Sequence, residues 1–136
     1  IAEGVFREGL KARGLEGTVD VDSAGTSGFH SGSPPDVRSQ DVCNRHGIPI
    51  TSQRSRKVCH DDFSRFDLIV AMDSTNERDL LALSGGSDKI RRLLEFSTTD
   101  LSDVPDPYYG GPRGFDTVFD LVSEAVEGLF EHFTYE

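Results

Sequence analysis

The 136-residue sequence has no tryptophan, one methionine and two cysteines, Cys43 and Cys59. Two cysteines are too few for a disulfide framework and neither stands in a CxxC pair, which excludes a disulfide-stapled secreted scaffold. Positive charge is also scarce. Against 24 Asp and Glu stand 14 Lys and Arg, a net of −10, and such a surplus disfavours nucleic acid and anionic membrane surfaces, which need a positive field. No apolar run approaches the ~20 residues of a membrane span, and no stretch has the basic-then-apolar pattern of a secretory leader. His30, His46, His60 and His132 show no metal-ligand spacing and are read as surface or cap histidines. Repeats and linkers are missing too, for Ser31-Gly-Ser-Pro-Pro35 is long enough only for a loop. What these absences leave is one reduced, soluble, cytoplasmic domain, able to bury roughly two-thirds of its unfolded surface.

The patterns that are present alternate in type. Ala2, Val5, Phe6, Leu10 and Ala12 share a face, which predicts a helix from Ala2 to Leu15 with Gly14 as its stop. Thr18-Val-Asp-Val-Asp-Ser23 alternates and reads as a strand. Ser33 is a candidate cap, with prolines in the first turn, for a helix running to Gly47, with His46 near its negative end. Phe66-Asp-Leu-Ile-Val-Ala-Met72 has the length and apolarity of a strand covered on both faces. Ser74-Thr-Asn-Glu77 fits a capping box for a helix through Leu83, and Ile90–Leu94 reads as a further strand whose Arg91 and Arg92 mark a solvated end. The clearest element is the last, an apolar stripe from Phe115 through Val118, Phe119, Val122, Val126, Leu129 and Phe130 to Phe133. Cys43 lies within a helix and reads as a small buried hydrophobe.

Strands alternating with helices predict an α/β fold with a largely parallel sheet, whose ligands bind outside the carboxyl ends of the strands. Those ends carry Ser23-Ala-Gly-Thr26, Met72-Asp73 and the loop around Asp106. By themselves, Asp106-Pro107 is a common turn, Tyr108 and Tyr109 are loop aromatics, and Phe29 is a loop anchor. Ser23 is open between a supporting hydroxyl of a site and a bond to neighbouring backbone, and Asp73 between a site residue and a helix cap with Ser74.

Five segments in this order, Ser23-Ala-Gly-Thr-Ser-Gly-Phe-His30, Ser33-Pro-Pro-Asp-Val-Arg-Ser39, Arg45-His-Gly-Ile-Pro49, Phe66-Asp-Leu-Ile-Val-Ala-Met-Asp73 and Asp106-Pro-Tyr-Tyr-Gly110, resemble the low-molecular-weight protein tyrosine phosphatases over essentially the whole chain. The resemblance implies a three-layer, flavodoxin-like fold, a parallel four-stranded sheet with helices on both faces. It also implies a phosphatase that acts through a cysteinyl-phosphate intermediate, without metal or other cofactor. Asp106 would be the general acid that protonates the leaving phenolate, and then the base that activates water. Phe29, Tyr108 and Tyr109 would wall a pocket for an aryl ring, and Ser23, Asp73 and Gln53 would support it, Gln53 standing where the family often has histidine. The substrate would be a phosphotyrosine-containing protein or a small aryl phosphate, and inorganic phosphate a product.

The family's phosphate loop, a cysteine and an arginine with five residues between them, followed by serine and proline, ends just before a helix that begins like Ile1-Ala2-Glu3. The expectation is therefore one phosphatase domain over residues 1–136 whose first strand and phosphate loop lie in some 15–20 residues ahead of Ile1, enough for one strand and a loop. Cys59-His-Asp-Asp-Phe-Ser-Arg65 has the Cys-x5-Arg spacing, but no glycine, and it sets Asp61 and Asp62 where a dianion would sit. It reads as the lead-in to a helix or turn.

Pro107 disfavours the helical conformation at Asp106 and so aims its carboxyl. Aromatic neighbours and bound phosphate are expected to raise its pKa. A dianion is repelled at long range by a body of charge −10, so capture would be local, and protein substrates basic around the phosphotyrosine. The alternatives are a phosphoarginine phosphatase or arsenate reductase of the same fold, or a non-catalytic phosphate-binding relative. Arsenate reduction needs exchanging cysteines that Cys43 and Cys59 are poorly placed to supply.

Overall fold

Helix α1 (Ala2–Ala12) stops where the sequence supplies a glycine. Gly14 takes φ +68°, so that its N–H reaches the carbonyl of Lys11 and the N–H of Leu15 reaches that of Leu10, a Schellman closure that residues with a Cβ resist. The same closure ends α2 (Val37–Arg45), where Gly47 at φ +74° lets Ile48 bond back to Cys43. In the computed structural model, which describes residues 1–26, 32–105 and 113–134, these are followed by α3 (Asp62–Arg65), β1 (Ile69–Ala71), α4 (Ser74–Ser84), β2 (Ile90–Arg92), a 3₁₀ turn (Leu93–Phe96) and α5 (Gly114–Thr134).

β1 and β2 pair in parallel with Ile69 opposite Ile90 and Ala71 opposite Arg92. Side chains alternate across a strand, and here both sides are covered. Val70 and Met72 pack into the larger core with α1, α2 and α5, whereas Ile69 and Ala71 pack with Leu80 of α4, Phe63 and Val58. α5 supplies most of the larger core, with Val118, Phe119, Val122, Ala125, Val126, Leu129 and Phe130 buried. Phe130 stacks on Phe6 of α1 at 4.7 Å, and Phe119 on His46, the C-cap of α2, at 4.0 Å. Gly128 lies so close to the 3₁₀ turn that a Cβ there would stand 1.7 Å from the carbonyl oxygen of Phe96.

Four expectations are corrected in detail. Thr18–Ser23 is not a strand. It is exposed almost throughout and pairs with no described strand, and an alternating pattern becomes a strand only where a neighbour completes the ladder. The parallel contact comes just beyond it, where Gly25 donates to the carbonyl of Arg56 and accepts from Val58, both at 2.9 Å. The cap of α2 is Asp36, not Ser33, and accepts from the N–H of Arg38. The capping box expected to begin at Ser74 gives way to the other reading left open for Asp73, which caps α4 and accepts from the N–H of Asn76. The end of β2 is not simply solvated. Arg91 pairs with Glu95 at 2.7 Å, and the Arg92 guanidinium lies 3.5 Å from Glu77 and 3.9 Å from Asp103.

Candidate active site

Three segments meet around the first turn of α4, at the carboxyl end of β1. From one side, the Thr26 hydroxyl reaches Asn76 Oδ1 at 3.5 Å. From the strand itself, Asp73 caps the helix, accepting from Asn76 at 2.7 Å. From the other side, the carboxylate of Asp103 accepts from the Ser74 N–H at 2.9 Å and from the Ser74 hydroxyl at 3.0 Å, while the Val104 N–H donates to the Met72 carbonyl at 2.8 Å. Helix N-termini leave N–H groups without intrahelical partners and favour negative charge; here two carboxylates share that role.

Ser23 sits at the start of the segment that reaches Thr26. Its hydroxyl donates to Glu3 Oε1 at 2.5 Å, so the side chain is held by α1 and not by neighbouring backbone. Glu3 also takes Arg7 at 2.8 Å, and Arg7 in turn donates to the Val21 carbonyl. Gln53 is half-buried beside Gly4 and lines, with Glu3, Arg7 and Ile48, an open cleft of about 560 Å³. Asp73 is the helix cap, half-buried at the strand end. Asp106, Phe29, Tyr108 and Tyr109 lie outside the described residues. The segments that lead to them are anchored, however. Residues before Phe29 are held by the Gly25 bridge, and residues after it by Gly32 donating to the Ser55 carbonyl and Ser55 donating to that of Ser33. Asp106 follows two residues after Val104.

Neither cysteine has the surroundings of a phosphate-activating thiol. Cys43 is fully buried in the larger core, and burial pushes its thiol pKa up, opposite to what a thiolate nucleophile needs. Cys59 precedes α3, and its N–H donates to the carboxylate of Asp62 at 2.9 Å. Asp62 is buried and takes Arg56 in a two-pronged pair at 2.9 and 3.0 Å, which holds its carboxyl below the usual range. A carboxylate placed inside the would-be loop, facing in toward Arg56, removes any cradle for an anion.

Sequence reasoning missed Arg56, Asp62 and Asp103. For Asp62 the sequence offers only an acidic pair before Phe63, and its partner comes from six residues upstream. Asp103 could have been suspected from an acid three residues before Asp106, but its contact with Ser74 spans 29 positions and leaves no local pattern.

Comparison with known proteins identifies the family and the fold. The profile of the family described as low molecular weight phosphotyrosine protein phosphatase matches residues 1–136. The low molecular weight protein-tyrosine-phosphatase YfkJ of Bacillus subtilis is 39% identical over 132 residues, covering 95% of this chain and 83% of that protein. Its crystal structure superposes with a TM-score of 0.92 over 98% of this chain and 85% of its own. The human low molecular weight phosphotyrosine protein phosphatase is 40% identical over 135 residues, 96% of this chain and 85% of that protein. DARP, a Drosophila arginine phosphatase, superposes with a TM-score of 0.88 at 27% identity, over 97% of this chain and 87% of its own. The α/β fold is therefore flavodoxin-like, with β1 and β2 as its described ladder, and the chain belongs to the low-molecular-weight phosphotyrosine protein phosphatase family.

Proposed function

We propose that this chain is an enzyme that hydrolyses phosphotyrosine and related aryl phosphate monoesters through a cysteinyl-phosphate intermediate, with Asp106 as general acid and then base. The observation that carries the reading is identity of 39–40% with protein-tyrosine phosphatases across 95–96% of the chain. A phenol leaves with a pKa near ~10, so a proton delivered as the P–O bond breaks is worth roughly 10²–10⁴ in rate. Asp106 is the carboxyl that follows the anchored residues Asp103 and Val104. Phe29, Tyr108 and Tyr109 wall the ring, which stacks well between flat aromatic faces. Ser23, bound to Glu3 of α1, Asp73 at the cap of α4 and Gln53 in the segment after α2 support the site. The thiol is neither Cys43 nor Cys59, for the reasons of burial and charge given above.

Residues 1–136 act as one phosphatase domain, since α1 and α5 share a core that also takes in Val70 and Met72 from one face of β1. No metal takes part in this reaction scheme, because the thiolate is the nucleophile and Asp106 moves the proton. Its place of work is a reducing cytoplasm, in keeping with two unpaired cysteines. No described helix is long and apolar enough to cross a membrane.

The phosphoarginine reading draws on the likeness to the Drosophila arginine phosphatase, at 27% identity, and the tyrosine pair argues for an aryl group instead. Initial rates on a phosphotyrosyl and a phosphoarginyl peptide of the same sequence decide between them. The expected result is kcat/KM at least about tenfold higher for phosphotyrosine, an advantage of about 1.4 kcal/mol in the transition state. A preference for phosphoarginine would overturn the assignment.

A further inference from the structure

We propose that Asp103 is a positioning residue for the proton donor, acting through the backbone that leads to Asp106; this rests on the reading of Asp106 as the acid. Asp106 stands between Pro105 and Pro107. Proline fixes its own φ and restricts the residue before it, so the segment from Val104 to Pro107 has few soft dihedrals. A stiff segment delivers its carboxyl to one place only if one end is fixed, and the fixed end is Asp103-Val104.

That anchor is double. The Val104 N–H is bound to the Met72 carbonyl at 2.8 Å, which ties the segment to the end of β1. The Asp103 carboxylate spans the Ser74 N–H and hydroxyl at 2.9 and 3.0 Å, which ties it to the start of α4. Arg92 reaches toward the same carboxylate from β2 at 3.9 Å. Its Nε is buried without a hydrogen-bond partner, so that Glu77 at 3.5 Å and Asp103 are the negative charges drawing the guanidinium into place. The Asp103 side chain is 44% exposed. A contact that open adds little to folding, whereas fixing the direction of the chain three residues before a catalytic carboxyl changes where that carboxyl arrives. Misplacement by ~1 Å is worth up to ~10² in rate.

The test uses Asp103→Ala, Asp103→Asn, Ser74→Ala, Asp106→Asn and the Asp103→Ala/Asp106→Asn pair in the full chain, assayed on phenyl phosphate and on p-nitrophenyl phosphate, whose leaving group is already acidic. Asp103→Ala is expected to lower kcat/KM on phenyl phosphate by about tenfold or more and to leave kcat/KM on p-nitrophenyl phosphate nearly unchanged, kcat/KM being the parameter that excludes the hydrolysis of the intermediate that both substrates share. Asp103→Asn keeps one acceptor and Ser74→Ala keeps the N–H contact, so each gives a smaller loss of the same selectivity. The double variant should match Asp106→Asn, because Asp103 has no route to the reaction except through Asp106. If Asp106→Asn loses no more on phenyl phosphate than on p-nitrophenyl phosphate, the acid reading fails and this proposal with it. If Asp106→Asn is selective while Asp103→Ala and Ser74→Ala are not, or if the double loss is additive, the positioning role is overturned and the acid reading stands.

Discussion

The guanidinium of Arg56 grips the carboxylate of Asp62 with both Nη atoms, at 2.9 and 3.0 Å, while its Nε takes Asp22 at 3.0 Å. One arginine thereby joins the start of α3 to the segment that leads into Ser23. Its own carbonyl accepts from Gly25, so the same residue holds the backbone of Ser23-Ala-Gly-Thr26 at the carboxyl edge of the sheet. Without that pair, the edge of the site and the parallel bridge between Gly25 and Lys57 would lose a common support.

Asp62→Asn should therefore destabilise the protein at pH 7 by roughly 2–4 kcal/mol, toward the lower side of what a broken buried pair costs because Arg56 is one-third exposed. The folded carboxyl titrates below its unfolded value. Its stabilisation is thus present above the unfolded pKa, near ~3.9, and is lost as pH falls from there through the folded pKa. Urea unfolding at pH 7 and at pH 3 checks this. The deficit of Asp62→Asn is expected to shrink at pH 3, and a deficit of equal size at both would assign Asp62 a packing role instead.

Gly128→Ala reverses the usual helix rule. In a helix interior alanine ordinarily gains about 1 kcal/mol over glycine, but here the new Cβ would lie 1.7 Å from the Phe96 carbonyl oxygen and 2.8 Å from its carbon. A backbone carbonyl cannot step aside as a side chain can. The expected outcome is a loss of about 3 kcal/mol or more, read as a lowered unfolding midpoint. An unchanged or raised midpoint would show that α5 and the 3₁₀ turn are not packed this closely.

The Cys-x5-Arg run at Cys59–Arg65 provides a third check. Its arginine lies over the Phe66 ring at 4.8 Å and its Asp62 faces Arg56. Cys59→Ala and Arg65→Ala are expected to hydrolyse p-nitrophenyl phosphate within about twofold of the unaltered chain, whereas loss of a nucleophilic thiol typically abolishes the covalent route. Inactive Cys59→Ala would place the cradle where charge and glycine content argue it cannot be.

How far the sequence foretold this arrangement depends on the range of the forces involved. The stripe of α5 was readable because periodic burial is a local property, and the ends of α1 and α2 were readable because Gly14 and Gly47 supply a backbone conformation that few other residues take. The covering of β1 on both faces followed from its continuous apolar run. Caps were legible as a type but not to the residue. Asp36 caps α2 three residues after Ser33, and Asp73 caps α4 directly before Ser74, so a capping type was present at each start but its position was not settled by the residue type. The strand expected at Thr18–Ser23 failed because pairing is a property of two segments, and the run carries no information about its neighbour. Arg92 was misread for the same reason, since Glu77 and Asp103 approach it from α4 and from the segment before Asp106. For the site, the family resemblance supplied the expected residues, of which Ser23, Asp73 and Gln53 are among the described ones. The anchoring of Asp103 on Ser74 was not legible, because it exists only once α4 and that segment meet.

The most direct measurement is the leaving-group dependence of kcat/KM for Asp106→Asn, which reports the leaving-group step alone, whereas kcat also contains the hydrolysis of the intermediate that both substrates share. On phenyl phosphate, kcat/KM is expected to fall by roughly 10²–10⁴, and on p-nitrophenyl phosphate far less, with the basic limb of the pH–rate profile removed. Equal losses on the two substrates, with that limb unchanged, would contradict the assignment of Asp106 as the proton donor.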